Sequence, residues 1–295
     1  MKNKKYAYTG KTKKFNGVKL KQIVAIRDFG FVDKGDIGGW IQKQSNLSHT
    51  ENCWVFGNAK VYGDARVYGS ARVLGHAEVF GSAQVSGDAD VCDNARVGGT
   101  ADVSDNARVL GDAQVRDDAQ VRDDAWVCDN AWVSSHAEVY GDARVYGDAR
   151  VYGSARVLGH AEVFGSAQVS GDAQVRDDAW VYGGARVYGN ARVYGTARVF
   201  GSARVLGNAW VSENAWVYGG AKLFDGKWET APLQIHGSKH VVNVCAPRRI
   251  AIGCENHTFS QWKRKYKTIG KKYGYTEKQI KEYEHHINYI ISMEE

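Results

Sequence analysis

Cys254 and His257 stand three residues apart, the closest thiol and imidazole in the chain. A nucleophilic cysteine needs a base within reach and a depressed pKa. Closeness in sequence supplies neither, so the competing reading is a buried structural thiol and no catalytic residue. A second group is spaced for a cation. Asp142, His160 and Asp178 recur every eighteen residues, behind Asp124. Should eighteen residues make one turn of a coil, these side chains form a column. A zinc or nickel site is expected to use more than one histidine, and Asp or Asn at a bend needs no ligand to explain it. The expectation is no metal and no cofactor, with these three residues as the candidates if a cation binds. Basic and aromatic residues mingle at both ends: Lys11, Lys13, Lys14, Lys19 and Lys21 with Tyr6 and Tyr8, and Trp262 to Tyr266. That mixture suits nucleic acid, although charge runs are commonly just solvated. Nucleic acid is kept open as a partner and not favoured.

What positions these side chains is a repeat of six. A valine recurs at every sixth residue from Val55 to Val217, and Leu223 continues the series. Two residues before each sits a small side chain, Cys53 first and then Ala59 through Ala221. Alternate side chains of an extended segment face opposite ways, so Ala and Val point inward together. The closing pair, usually Gly then Asp, Ser, Asn or His, has the chemistry of a bend. A period of this kind means a solenoid. Three hexads close one triangular coil of eighteen residues, giving nine to ten coils and a rod of about 45 Å at the ~4.8 Å strand spacing. Helix competes poorly, because a glycine every six residues costs about 1 kcal/mol each. Both prolines, Pro232 and Pro247, lie beyond the run, as an unbroken ladder requires.

The unit Ala191-Arg192-Val193-Tyr194-Gly195-Thr196 resembles the hexapeptide repeat of left-handed parallel β-helices. The left hand is implied by that resemblance; general chirality favours right-handed crossovers. The likeness covers about 170 residues and specifies the fold far better than the function. Acyltransferases, carbonic anhydrase-like proteins, ice-binding proteins and inert scaffolds share the repeat. The enzymes generally add a histidine base and a protruding loop between neighbouring rods, whereas Val55 to Leu223 has no insertion. Flat threonine arrays for ice are missing too. Gly38-Gly39-Trp40-Ile41, Leu47-Ser48 and Cys53-Trp54 resemble the start of YdcK-type hexapeptide proteins of bacteria and prophages, which implies a shared cap.

The expected organisation is all-β with a helical end: an N-terminal cap at 1–52, the β-helix at 53–224, and C-terminal strands with two helices at 225–295. In the cap, Tyr6 to Tyr8 and Val18 to Ile26 read as strands around an Asn16-Gly17 turn. Beyond the rod, Leu233 to Ile235, Val241 to Val244 and Ile250 to Ile252 read as strands. Thr258 with Gln261 and Thr276 with Gln279 form capping boxes, and Ile280, Tyr283, Ile287, Ile290 and Ile291 make a helical stripe. Five cysteines without a metal motif favour free thiols in a reducing cytoplasm. The run after Met1 is basic but lacks an apolar segment to serve as a signal peptide, and nothing reaches the ~20 apolar residues of a membrane span. The net charge of +6 excludes an acidic nucleic-acid mimic.

Taking every eighteenth residue after the valines sorts the outer surface by face. One column reads Phe56, Leu74, Cys92, Leu110, Cys128, Tyr146, Phe164, Tyr182, Phe200 and Tyr218, all apolar or aromatic. Trp54, Trp126, Trp180 and Trp216 share that face, among arginines. Monomers rarely expose so long an apolar stripe, and Trp, Tyr and Arg are enriched at interface hot spots. The competing reading is a solvated ladder stabilised by stacking between coils. Residues 69–89 recur word for word at 153–173, fourteen hexads on. Fourteen is not a multiple of three, so the copy lands on another face, which suits bulk length better than a fixed catalytic arrangement. The sequence thus favours a non-enzymatic scaffold that forms a homo-oligomer, dimer or trimer, along the aromatic face. A partner protein would bind the C-terminal module, and a small ligand the cleft between subunits. An acyltransferase-like enzyme and a nucleic-acid-binding prophage accessory protein stay open as alternatives.

Overall fold

Each hexad supplies a two-residue strand, such as Arg192–Val193, followed by a corner. The computed structural model describes residues 4–294. Met1, Lys2, Asn3 and Glu295 lie outside them, and with them the first lysine of the N-terminal basic run. Strands eighteen residues apart pair in parallel, and the chain coils into a β-solenoid of about ten turns with three walls. One wall runs through Trp54–Val55, the next through Lys60–Val61, and the third through Arg66–Val67. The ladder is regular because every unit repeats the same geometry: the amides of Arg192 and Tyr194 donate to the carbonyls of Ala209 and Val211, both at 2.9 Å. Ala and Val fill the interior with no exposure along the rod, each valine contributing about 1.5 kcal/mol or more.

Corners need a residue with positive φ. Glycine takes it at Gly195 (φ 65°), and aspartate at Asp177 (φ 60°). The aspartates gain something glycine lacks. The Asp177 carboxylate accepts the corner amide of Gly195 in the next coil at 3.1 Å, and Asp93, Asp123 and Asp129 repeat the contact at 2.9–3.0 Å. Those amides take no part in the wall ladders, so the carboxylate satisfies a donor that would otherwise face water.

An open parallel edge templates aggregation, and both ends are closed. Strands β1 (Tyr6–Phe15) and β2 (Val18–Ala25) form a hairpin, and β3 (Ile37–Ile41) joins it to the Lys60 wall. Ile41 sits opposite Val61 and Leu47 opposite Val67, so the cap already follows the coil despite its two extra residues. Two buried polar side chains finish the seal. Asn46 donates to the carbonyls of Gly63 (3.1 Å) and Ala65 (2.8 Å). The Lys5 ammonium, fully buried, donates to the carbonyl of Cys53 at 2.8 Å and to those of Thr50 and Glu51. Burial pulls its pKa down, against the opposing pull of the Cys53 thiol.

At the far end a four-stranded antiparallel sheet covers the last coil: Gln234–His236, Val241–Ala246, Arg249–Ile252 and Glu255–Thr258. The fourth strand is absent from the sequence reading, because its residues Glu-Asn-His-Thr carry no apolar alternation. Helices α1 (Phe259–Lys272) and α2 (Glu277–Glu294) follow, each with its capping box formed. Tyr283, Ile287, Ile290 and Ile291 are buried in one cluster with the sheet, and Ile280 is buried beside Gly270 of α1. Trp228 packs against both this core and the core of the rod. No helix among the described residues is long and apolar enough to cross a membrane.

Candidate functional site

The Trp54 wall presents two outward columns. In the column after the valines, Tyr146, Phe164, Tyr182, Phe200 and Tyr218 stack face to face. Ring centroids are 4.9, 4.9 and 5.0 Å apart and nearly parallel, opening to 5.5 Å and 15° at the last step. The spacing is that of the strands themselves, since identical backbone places identical side chains one above another. In the neighbouring column, Trp180 and Trp216 turn their edges onto Phe164 and Phe200. Arg198 lies between Trp180 and Trp216 at 4.7 and 5.3 Å, and Trp126 lies between Arg108 and Arg144 at 5.0 and 5.5 Å. Arg72 forks onto Asp90 at 2.6 and 2.7 Å. The Tyr146 hydroxyl donates to Glu162 at 2.8 Å, and burial first, then that carboxylate, pushes its pKa up.

Much of this wall is therefore satisfied within itself. Ring faces are used up by stacking, and what remains outward is ring edges, with Trp126, Trp216 and Tyr218 the most exposed. Toward the N-terminus the column continues as Phe56, Leu74, Cys92, Leu110 and Cys128, all half-buried. Trp54 departs from expectation. It is 1% exposed, enclosed by Phe29 and Tyr6 with ring centroids at 5.4 and 6.2 Å. Gly38 leaves it room, since a Cβ there would stand 2.6 Å from the indole. The cap folds over the first coil, so Trp54 belongs to the core and not to the outer face. The sequence reading also passes over Phe31, a loop residue 89% exposed. It lines a groove of about 420 Å³ with Phe56, Arg72 and Asp88, and no periodicity marks it.

Cys254 and His257 are not brought together as a pair. The Cys254 thiol is exposed, contrary to the buried reading, and points to the Tyr273 hydroxyl at 3.5 Å. The His257 ring meets the Glu255 carboxylate at 2.8 Å and stands edge-on to Trp262. Glu255 also accepts from Tyr273 at 2.8 Å, which holds its carboxyl below the usual range. The buried thiol of this region is Cys245, pushed by burial up to about 12. The cavity between the terminal sheet and helices, which Cys254, Glu255 and Tyr273 help to line, measures about 40 Å³. That is room for a water or two. In the acidic column, His160 pairs with Asp142 at 3.2 Å, and Asp178 stays apart from them. Among the described residues no three His, Cys, Asp or Glu side chains gather as a metal site. All five thiols are free.

The basic ends lose their aromatics. Tyr6 is buried and donates to the carbonyl of Leu47, while Lys21 covers Tyr8 and Lys13 covers Trp40. Trp262 is buried too, its indole donating to the Ile250 carbonyl at 2.8 Å. Tyr6 and Trp262 are therefore not available for a base to stack on, although Tyr273 and Tyr289 of the C-terminal helical segment keep exposed rings.

With the geometry in place, comparison with known proteins adds the repeat type. A model of the YdcK β-solenoid repeat matches residues 59–75, 137–153, 143–159 and 185–201, all within the rod. The rod is a β-solenoid that contains repeats similar to those of YdcK. A curated relative from Escherichia coli (strain K12), carrying the name uncharacterized acetyltransferase YdcK, is 46% identical over 39 residues. That stretch spans 13% of this chain and 12% of the relative, well short of its length.

Proposed function

We propose that this chain is a non-catalytic scaffold whose rods associate with one another along the Trp54 wall, from Phe56 to Tyr218. The observation that carries the reading is the unbroken ring stack on one wall, with edges left outward. Ring edges with flanking Arg–Trp sandwiches form a flat, rigid, apolar surface that loses little entropy on docking. Size sets a condition. Ten coils at ~4.8 Å, one strand and corner wide, give roughly 600 Å², below the about 800 Å² per partner of a standard interface. Exposed Phe31, in the groove beside Phe56, is expected to extend the contact. The test is native mass spectrometry and sedimentation of the full chain and of Tyr182→Glu, which charges the middle of the stack. An oligomer that the substitution converts to monomers supports the proposal; a wild-type monomer at every concentration ends it.

A second reading, acetyl transfer with the donor held between rods, comes from the printed name of the relative alone. Titration with acetyl-CoA separates the two. Retention of the cofactor by the oligomer and not by the Tyr182→Glu monomer favours the enzyme. Binding a nucleic acid remains a third reading, tested by a salt-sensitive mobility shift.

A further inference from the structure

The outward column of the Lys60 wall mixes rings with Gly98, Arg116, Ser134, Ser170 and Leu206, and at one place a serine stands between two tyrosines. There the outward residues over three successive coils are Tyr152, Ser170 and Tyr188, one after each paired valine. On the Trp54 wall, where every rung from Tyr146 to Phe200 carries a ring, neighbouring rings sit 4.9–5.0 Å apart. Two such steps separate the tyrosine positions by about 10 Å. A flat ring entering between them would lie ~5 Å from each, within the favourable range for aromatic pairs. The gap is a groove of about 200 Å³ lined by Tyr152, Gln168, Ser170, Arg186, Tyr188 and Arg204. That is smaller than the sites of drug-sized ligands and admits one ring system with a substituent.

Charge says which substituent. Most other arginines on the rod are paired with carboxylates, as Arg72 with Asp90 and Arg122 with Glu138, or lie over rings, as Arg198 does; exposed Arg66 is an exception. Arg186 and Arg204 are exposed, sit on paired strands one coil apart, and have neither kind of partner among the described residues. From Arg96 to Lys222 their column holds no carboxylate; the hexad of Ser170 has one, exposed Asp172 at the corner. Two adjacent guanidinium forks suit an oxyanion with several acceptors. We propose that this gap binds a planar aromatic anion of nucleoside-monophosphate type, its ring between Tyr152 and Tyr188 and its phosphate on Arg186 and Arg204. The duplicated segment supplies an internal contrast. Ser86, the counterpart of Ser170, has Tyr68 on one side and Ser104 on the other, and so only half a sandwich. The site lies on a different wall from the proposed association surface, so neither reading depends on the other.

The experiment titrates the full chain with adenosine monophosphate, adenosine and benzoate by calorimetry and by ligand-detected NMR. Adenosine monophosphate is expected to bind, and adenosine at least about tenfold more weakly, for want of the charge-assisted contacts. Ser170→Tyr fills the gap with a ring, as in the stack from Tyr146 to Phe200, and is expected to abolish binding without lowering the melting temperature. Tyr188→Leu, an outward change matching the Leu206 that follows it, removes one ring and is expected to weaken binding about tenfold. Arg186→Gln is expected to erase the preference for the phosphate. Failure of the wild type to bind, unchanged affinity in folded Ser170→Tyr and Tyr188→Leu, or benzoate binding as tightly as the nucleotide would each overturn the proposal.

Discussion

Replacing Asn243 by leucine should loosen the C-terminal end of the rod and nothing else. Asn243 is 1% exposed. Its carboxamide oxygen accepts from the Lys222 amide at 3.2 Å, and its nitrogen donates to the Lys222 carbonyl at 2.8 Å. The side chain thus stands in for the next strand at the last edge of the Lys60 wall. Leucine has nearly the same volume, keeps the packing and removes both bonds, together with the one the carboxamide nitrogen donates to the Val244 carbonyl at 2.8 Å. An orphaned buried donor or acceptor costs about 1–3 kcal/mol; because the surroundings are only partly buried, the low end applies to each, about 2–3 kcal/mol in all. In a linear stack, stability is a sum of local terms, so the loss stays at the end. Native-state hydrogen exchange with mass spectrometry reads it directly. Amides of the strand at Lys222–Leu223 should exchange about 30- to 150-fold faster, while those around Val139–Val157 keep their rates. Unchanged exchange at Lys222, or an equal acceleration along the whole rod, would refute the reasoning.

Further substitutions probe the corners. Gly99 has φ 71°, and a Cβ there would stand 2.6 Å from the Asp117 amide nitrogen, whereas Gly274 has φ 66° and open space. Gly99→Ala should therefore lower the denaturation midpoint clearly more than Gly274→Ala, which bears only the ~1–2 kcal/mol of the left-handed backbone; equal losses would remove the role of the close approach. At Asp177 the order reverses intuition. Asp177→Gly forfeits the bond to Gly195, about 0.5–1.5 kcal/mol, but relieves the strain of a Cβ at positive φ, whereas Asp177→Ala forfeits the bond and keeps that strain, so alanine should be the worse by calorimetric melting. The thiols should separate by reactivity. Burial pushes Cys92 up to about 11 and Cys245 up to about 12, so little thiolate forms at neutral pH. Iodoacetamide should label exposed Cys254 first in peptide mapping, with Cys92 joining as pH rises toward 11; early labelling of Cys92 at pH 7 would contradict this.

The rod was legible because its contacts all share one sequence separation. With every strand paired to the residue eighteen positions away, a rule about alternation and bends is already a rule about tertiary neighbours. Hence Val55 to Leu223 line the interior and Phe56 to Tyr218 share a wall, and the helix caps at Thr258 and Thr276 are local enough to read as well. The ends obey no such rule. Lys5 meets Cys53 across 48 residues and Tyr283 meets His240 across 43, so nothing periodic announces that Trp54 is covered, that Asn46 and Asn243 replace missing strands, or that Glu255 draws both His257 and Tyr273 to itself. Even on the rod, the sequence determined which rings share a column, and only the folded side chains decided that they stack face to face and spend those faces on one another. Separation along the chain determines a neighbour when it is constant; where it varies, packing decides.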